Sequence, residues 1–177
     1  MTLKLVPASK HISEQALQWR THARESLRTP IMLVSEQQDE FFKNVICDRN
    51  SHHRYWGIAN TSHNYVVGFG GLTNISWENG SAEISLIIDT ARHGRGLGQQ
   101  SVALLLREGF DVMRLGVIYG ECYHTNERTV SFWSQLTEKY GGITVTLPDR
   151  KFWNGDYYSS MYFSINHDDW RNRNGKA

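Results

Sequence analysis

The 177-residue chain carries 19 Lys and Arg against 18 Asp and Glu, a formal net charge of +1, which excludes the basic excess or stripe of a general nucleic-acid binder. Its 40% apolar content is enough for the core of one domain, expected over residues 1–170 with a frayed polar tail over 171–177. No apolar run reaches the roughly 18 residues of a membrane span, and the polar opening MTLKLVPASK reads against a secretory signal. Cys47 and Cys122 stand alone without CxxC spacing, so a reducing, cytoplasmic setting is expected.

In chain order, LKLVP is a short strand candidate. Apolar residues at Ile12, Ala16, Leu17 and Trp19 then predict a helix from His11 that carries Arg20, Arg24 and Arg28 and stops at Thr29–Pro30. Ser35, with Gln38 three residues on, reads as the N-cap of a second helix through Phe41, Phe42, Val45 and Ile46. HRYWGIAN and NYVVGFGGLTNI are predicted strands joined near TSHN, and SAEISLIID a third. A helix from Gln99 to Phe110 follows, striped by Val102, Leu105, Leu106, Gly109 and Phe110. RLGVIYGECY is a strand and NERTVSFWSQLTEKY a helix. GITVTL and DYYSSMYFSI close the chain as two strands linked by the turn-rich PDRKFWNG. The order β-α-α-β-β-β-α-β-α-β-β defines an α/β (α+β) domain around a central mixed, twisted sheet of six or seven strands flanked by helices.

The stretch HGRGLG, where a strand hands over to a helix, places Gly94, Gly96 and Gly98 within five positions. Glycine permits a sharp turn and close backbone approach. The first amides of a helix have no internal acceptors, so such a turn presents donors to an anion, helped by the helix dipole. Arg92, His93 and Arg95 supply charge nearby. A turn that needs glycine for packing alone is the competing reading. The loop is not a nucleotide-hydrolase loop, since no Gly-Lys-Ser/Thr follows, and it lacks G-x-G-x-x-G spacing.

His93, Gly96 and Gly98 resemble the pyrophosphate signature of the GNAT acetyltransferase superfamily, an Arg or Gln followed by Gly at the third and fifth positions. The resemblance covers most of the chain. AEISLIID is similar to that family's fourth strand and NERTVSFWSQL to its fourth helix. Trp19–Arg20, AEISL and the late hairpin are most similar to the branch of ribosomal-protein and nucleotide-amino-sugar acetyltransferases. The resemblance implies acetyl-CoA as donor and transfer to a primary amine of an amino sugar, polyamine, other small molecule or protein N-terminus, by direct attack in a ternary complex. It places pyrophosphate on the segment Arg92, His93, Gly94, Arg95, Gly96, Leu97, Gly98 and Gln99. It places pantetheine against Leu86, Ile87 and Ile88, where two parallel strands splay apart. His93 departs from the usual Arg or Gln, at little cost if amides carry the contact. A non-catalytic CoA-binding or interaction module of the same fold is the alternative.

Acetyl transfer needs a base for the amine and a proton for the leaving thiolate. Glu83, on a strand face with Ser85 and Ile87, is the leading base, against the plain reading of a solvated or ion-paired glutamate; Glu121 is the reserve. In the family, an asparagine of the following helix lies near pantetheine and a tyrosine seven residues on protonates the thiolate. Asn126 matches the first, and Trp133 stands where the acid is expected, so Tyr123 or Tyr140 substitutes or the thiolate departs unaided. His124 is a further titratable group, more simply read as capping or surface. No histidine spacing indicates a metal site. For the acceptor, the resemblance points to Arg20, Arg24, Trp77, Glu78, Lys151, Trp153 and Tyr157; the aromatics are equally consistent with core contacts or a homodimer.

Overall fold

The computed structural model describes residues 2–62 and 65–174. Strand β1 (Leu3–Pro7) leads into helix α1 (Lys10–His22), whose N-cap Ser9 hydroxyl accepts from the Ile12 amide at 3.4 Å. A tight turn over Arg24–Ser26 and an extended segment precede α2 (Ser35–Phe41), which widens into a final π-type turn over Phe42–Ile46. Strands β2 (Arg54–Asn60), β3 (Val66–Ser76) and β4 (Ser81–Ile88) follow, then α3 (Leu97–Arg107), β5 (Val117–Tyr123) and α4 (Glu127–Lys139). Strands β6 (Ile143–Trp153) and β7 (Asp156–Asn166) precede a last helix, α5 (His167–Asn174).

The strands form one seven-stranded sheet in the order β1-β2-β3-β4-β5-β7-β6. Every neighbouring pair is antiparallel except β4 and β5, which are parallel. This is the α/β mixed sheet expected from the sequence. Because side chains alternate along a strand, each face has its own cover. On one face α3 and α4 seal Leu72, Ile84, Ile118 and Phe163 beneath Val102, Leu105, Leu106 and Trp133. Burying each such leucine is worth roughly 1.5–3 kcal/mol. On the other face Ile12 and Ala16 of α1 pack on Phe69, so Glu83, Ser85 and Ile87 point to the α1 side.

Several local expectations are corrected. The first helix stops at His22 rather than running to Arg28, because the chain tightens over Arg24–Ser26. Val34, not Ser35, is the N-cap of α2, and Gln37 Oε1 accepts from the Val34 amide at 3.1 Å. Gln38 is instead buried and donates to Ser13 Oγ at 2.8 Å. The segment PDRKFWNG is mostly strand: β6 runs to Trp153, bulged between Leu147 and Lys151, and only Asn154 and Gly155, at φ 50° and 94°, turn the hairpin. Helix α5 continues to Asn174, anchored by Arg173 Nη1 on the Glu138 carbonyl at 2.6 Å and by Trp170 against Phe110 at 5.3 Å between ring centroids. His63 and Asn64 of the turn expected at TSHN, and residues 175–177 of the tail, lie outside the described residues.

Candidate active site

Strands β4 and β5 pair in parallel only at Ser81–Val117, Ala82–Ile118 and Glu83–Tyr119. Beyond Glu83 they separate, leaving Leu86–Ile88 unpaired with β5 at a cleft of about 840 Å³, with His93 Nε2 lying 3.1 Å from the Ile88 carbonyl on that edge. At the far end of that edge lies the glycine turn. Gly94 and Gly96 take φ of +79° and +70°, the left-handed region that favours glycine. A Cβ at either would meet no atom within 4 Å, so packing does not account for them. Gly98 is different: its Cβ would lie 3.0 Å from the Phe132 ring. Among the described residues, no protein acceptor takes the amides of Gly94 through Gln99. A run of free amides at the start of α3, under open space, fits a pyrophosphate, and the opened edge of β4 fits an extended amide-bearing arm. Arg92, which stacks on the Tyr65 ring at 4.2 Å and pairs with Asp89 at 3.0 Å, lines the same end.

The chemistry-bearing side chains converge where β4 and β5 part. Glu83 is 9% exposed. Its carboxylate accepts from both terminal nitrogens of Arg28, one at 3.2 Å and the other at short range, and from Asn74 Nδ2 at 2.8 Å. Asn74 reaches it from a bulge in β3, where its own φ is 49°. Glu121, on β5, accepts from Ser160 Oγ at 2.7 Å, the Tyr123 hydroxyl at 3.2 Å and Arg28 at 3.3 Å, with Arg150 at 3.7 Å. Arg28 also donates to the Tyr123 oxygen at 3.3 Å. The pairing with Glu83 drives the Arg28 pKa further up, and burial raises that of Tyr123, so a guanidinium and a neutral phenol sit between two carboxylates.

The turn over Arg24–Ser26 walls this network and is held from three directions. Lys151, buried at 6% exposure, donates to the carbonyls of Glu25, at short range, and Leu27, at 2.8 Å. Thr125 Oγ1 donates to the Glu25 carbonyl at 2.6 Å, and Asn126 Nδ2 to Ser26 Oγ at 2.7 Å. Asn126 also caps α4 through the Thr129 amide at 3.1 Å. Lys151 was expected at the acceptor; the β6 bulge turns it inward as a latch instead.

The other predicted residues divide clearly. Arg20, Tyr123, Asn126 and Trp133 line the cleft with Glu83 and Glu121. Trp133 stacks on Phe163 at 4.5 Å and offers no acidic proton. Arg24, Trp77, Glu78, Trp153 and Tyr157 do not line it. Arg24 donates to the Pro30 carbonyl at 2.9 Å and lies 5.9 Å from the Trp153 ring; Trp77 lies under Arg54, and Tyr157 packs on Phe152. Tyr140 is buried at the end of α4, and His124 pairs with Glu127 at 3.1 Å; neither lines the cleft. Sequence reasoning missed Asn74, His53, Tyr55 and Ser160, and read Arg28 with Arg20 and Arg24 as a solvated helix face with one member facing an anionic ligand. The only signal for Arg28 was its spacing from Arg24, which misleadingly extended the helix. No group of three or more potential metal ligands occurs among the described residues.

This arrangement can seat an anionic, extended donor along β4 and α3 and a proton-accepting carboxylate beside it. Cys122 also lines the cleft, but burial pushes its thiol up to about 12, so it stays protonated and is a poor relay for an acyl group.

Comparison with known proteins places the chain. The model of the acetyltransferase (GNAT) domain family matches residues 2–136, and the chain belongs to that family. Family membership makes it an enzyme, an acetyl-CoA-dependent N-acetyltransferase acting on an amine. Its fold is that of spermidine N-acetyltransferase from Vibrio cholerae in complex with CoA and spermine (TM-score 0.84, 17% identity, 96% of this chain and 98% of that one). Mutant forms of the spermidine/spermine N-acetyltransferase from the same organism align similarly (TM-score 0.83, 20% identity, 97% and 98%). No curated protein matches the sequence significantly. No helix among the described residues is long and apolar enough to cross a membrane.

Proposed function

We propose that the acceptor is a primary amine that enters the cleft as an ammonium, gives its proton to Glu83 directly or through a water, and attacks in a ternary complex. The observation that carries this reading is the seating of Arg28: a cation already rests between Glu83 and Glu121, beside the opened edge of β4. Glu83 accepts a proton only once Arg28 withdraws from it. Glu121, satisfied by three donors with Arg150 as a further ion-pair partner, serves mainly to hold Tyr123 and Arg28 and is the weaker base. Acetyl-CoA, when bound, supplies an activated acetyl thioester. Leu86–Ile88 would align its pantetheine arm, the free amides of Gly94–Gln99 would hold its pyrophosphate, and Tyr123, a cleft-lining phenol that keeps its proton, would give the thiolate a proton.

The acceptor classes are polyamines, named in the similar structures, and amino sugars or protein N-termini, the classes of the branch resembled by Trp19–Arg20 and the last hairpin. One domain over 1–170 is part of the reading, supported by the single continuous sheet. A cytoplasmic setting is supported by the two free cysteines. A homodimer is supported by Ile143 and Val145, exposed on the edge strand β6, and light scattering tests it. The activity is tested by following CoA thiol release with spermidine, amino sugars and N-terminal peptides. Turnover with at least one primary amine is expected; CoA binding without turnover across the panel contradicts the reading.

A further inference from the structure

Arg20, in the last turn of α1, is half-buried and lines the cleft. Among the described residues it has neither an ion-pair partner nor a hydrogen-bond acceptor; the only other group acting on it is the Tyr55 hydroxyl, through charge. Burial lowers its pKa, the mark of a guanidinium stripped of water without a counter-ion. Beside it stand two more donors without acceptors. Tyr55 keeps its proton, burial pushing it up to about 12. His53 stacks on Tyr55 at 6.4 Å, and its Nδ1 accepts from the Asn74 amide at 3.2 Å, so in the neutral ring Nε2 carries the hydrogen. Burial, with His52 and Arg54 nearby, favours that neutral ring.

The acidic end is different: Glu83 and Glu121 are already matched by Arg28 and Arg150. Glu25, the third carboxylate lining the cleft, has the ammonium of Lys151 acting on it, which leaves Arg20 as the guanidinium of the acceptor half without a carboxylate partner among the described residues. Its place relative to the base follows from register. Tyr55, Gly71 and Ser85 lie opposite one another across β2, β3 and β4, and Glu83 is on the same face two residues before Ser85. Two strand spacings separate β2 from β4, roughly 10 Å.

We propose that the acceptor carries, besides its reactive amine, an anionic oxygen group, carboxylate or phosphate, held by Arg20 with Tyr55 and His53 roughly 10 Å across the sheet from Glu83. This rests on the acetylation reading above and narrows its substrate class. Amines bearing a carboxylate or phosphate are favoured over polyamines, whose further ammonium groups would meet an unpaired guanidinium.

Matched acceptors test it: glucosamine 6-phosphate against glucosamine for phosphate, a dipeptide with a free carboxylate against its C-terminal amide for carboxylate, and spermidine as the polycation. The wild-type enzyme is expected to show a higher kcat/KM for the anionic member of at least one pair. R20Q should lower that value roughly 10- to 100-fold, the scale of a charged hydrogen bond, leave the neutral member nearly unchanged, and keep acetyl-CoA affinity. R20K should recover part of the loss, and Y55F, which removes only the hydroxyl, provides a second variant if R20Q does not fold. Preference for spermidine or for the neutral members, or equal loss on both members of a pair in R20Q, overturns the inference while leaving acetylation intact. No turnover with any amine despite acetyl-CoA binding overturns the acetylation reading and the inference with it.

Discussion

The two halves of the cleft are built on different principles. The donor half is made of backbone: an unpaired edge at Leu86–Ile88 and a turn whose amides are free because Gly94 and Gly96 bend under open space. The acceptor half is made of side chains, in which Arg28, Asn74, Glu83, Glu121, Tyr123 and Ser160 satisfy one another. A backbone site depends on conformation and tolerates His93 where the signature has Arg or Gln. A side-chain site depends on identity, so a single replacement disturbs several partners at once.

That contrast can be broken from either side. The largest effect is expected in the acceptor half, where E83Q preserves shape but removes the base and should lower kcat by roughly 10²- to 10⁴-fold, measured by thiol release with acetyl-CoA affinity unchanged. Next, K151M strips the buried latch from the carbonyls of Glu25 and Leu27. It should cost about 1–3 kcal/mol of stability, seen by denaturant unfolding, and raise acceptor KM without weakening CoA. In the donor half, G96V forces a β-branched residue to a left-handed angle, a cost of about 1–2 kcal/mol. Calorimetry should then give CoA binding weakened by about tenfold, with the acceptor network untouched; unchanged affinity would remove the turn from the site. The smallest effect belongs to C122A. Because the Cys122 thiol is held protonated, turnover should persist and mass spectrometry should find no acetylated cysteine in the wild type.

The same contrast explains what the sequence made legible. The glycine turn, the striped α3 and the strand bearing Glu83 are local patterns, readable because spacing and conformation are coupled. Asn126 lines the cleft and caps α4 through the Thr129 amide, a local contact, whereas its bond to Ser26 comes from tertiary packing. The acceptor half was misread at several points. Arg28 lies 55 residues from Glu83 and 93 from Glu121, and no local period reports such a meeting. Its four-residue spacing from Arg24 imitated a helix face that ends at His22. The family resemblance points to Trp77, Glu78 and Tyr157 as acceptor contacts, but none of them lines the cleft, and the bulged hairpin sends Lys151 inward and leaves Tyr157 outside. Helix α5 escaped notice because its sequence is polar on every side; Trp170 and Arg173 are what tie it down.

The central claim is that Glu83 receives the proton of the acceptor amine, and the pH dependence of E83Q tests it most directly. At low pH nearly all of the amine is protonated and a base is required; as pH rises, a growing share is already neutral and needs none. With an active acceptor in hand, the gap in kcat/KM between wild type and E83Q should therefore be widest at low pH and narrow steadily toward the pKa of the amine. Profiles that overlay at every pH would contradict the account and leave Glu83 as the ion-pair partner of Arg28 alone.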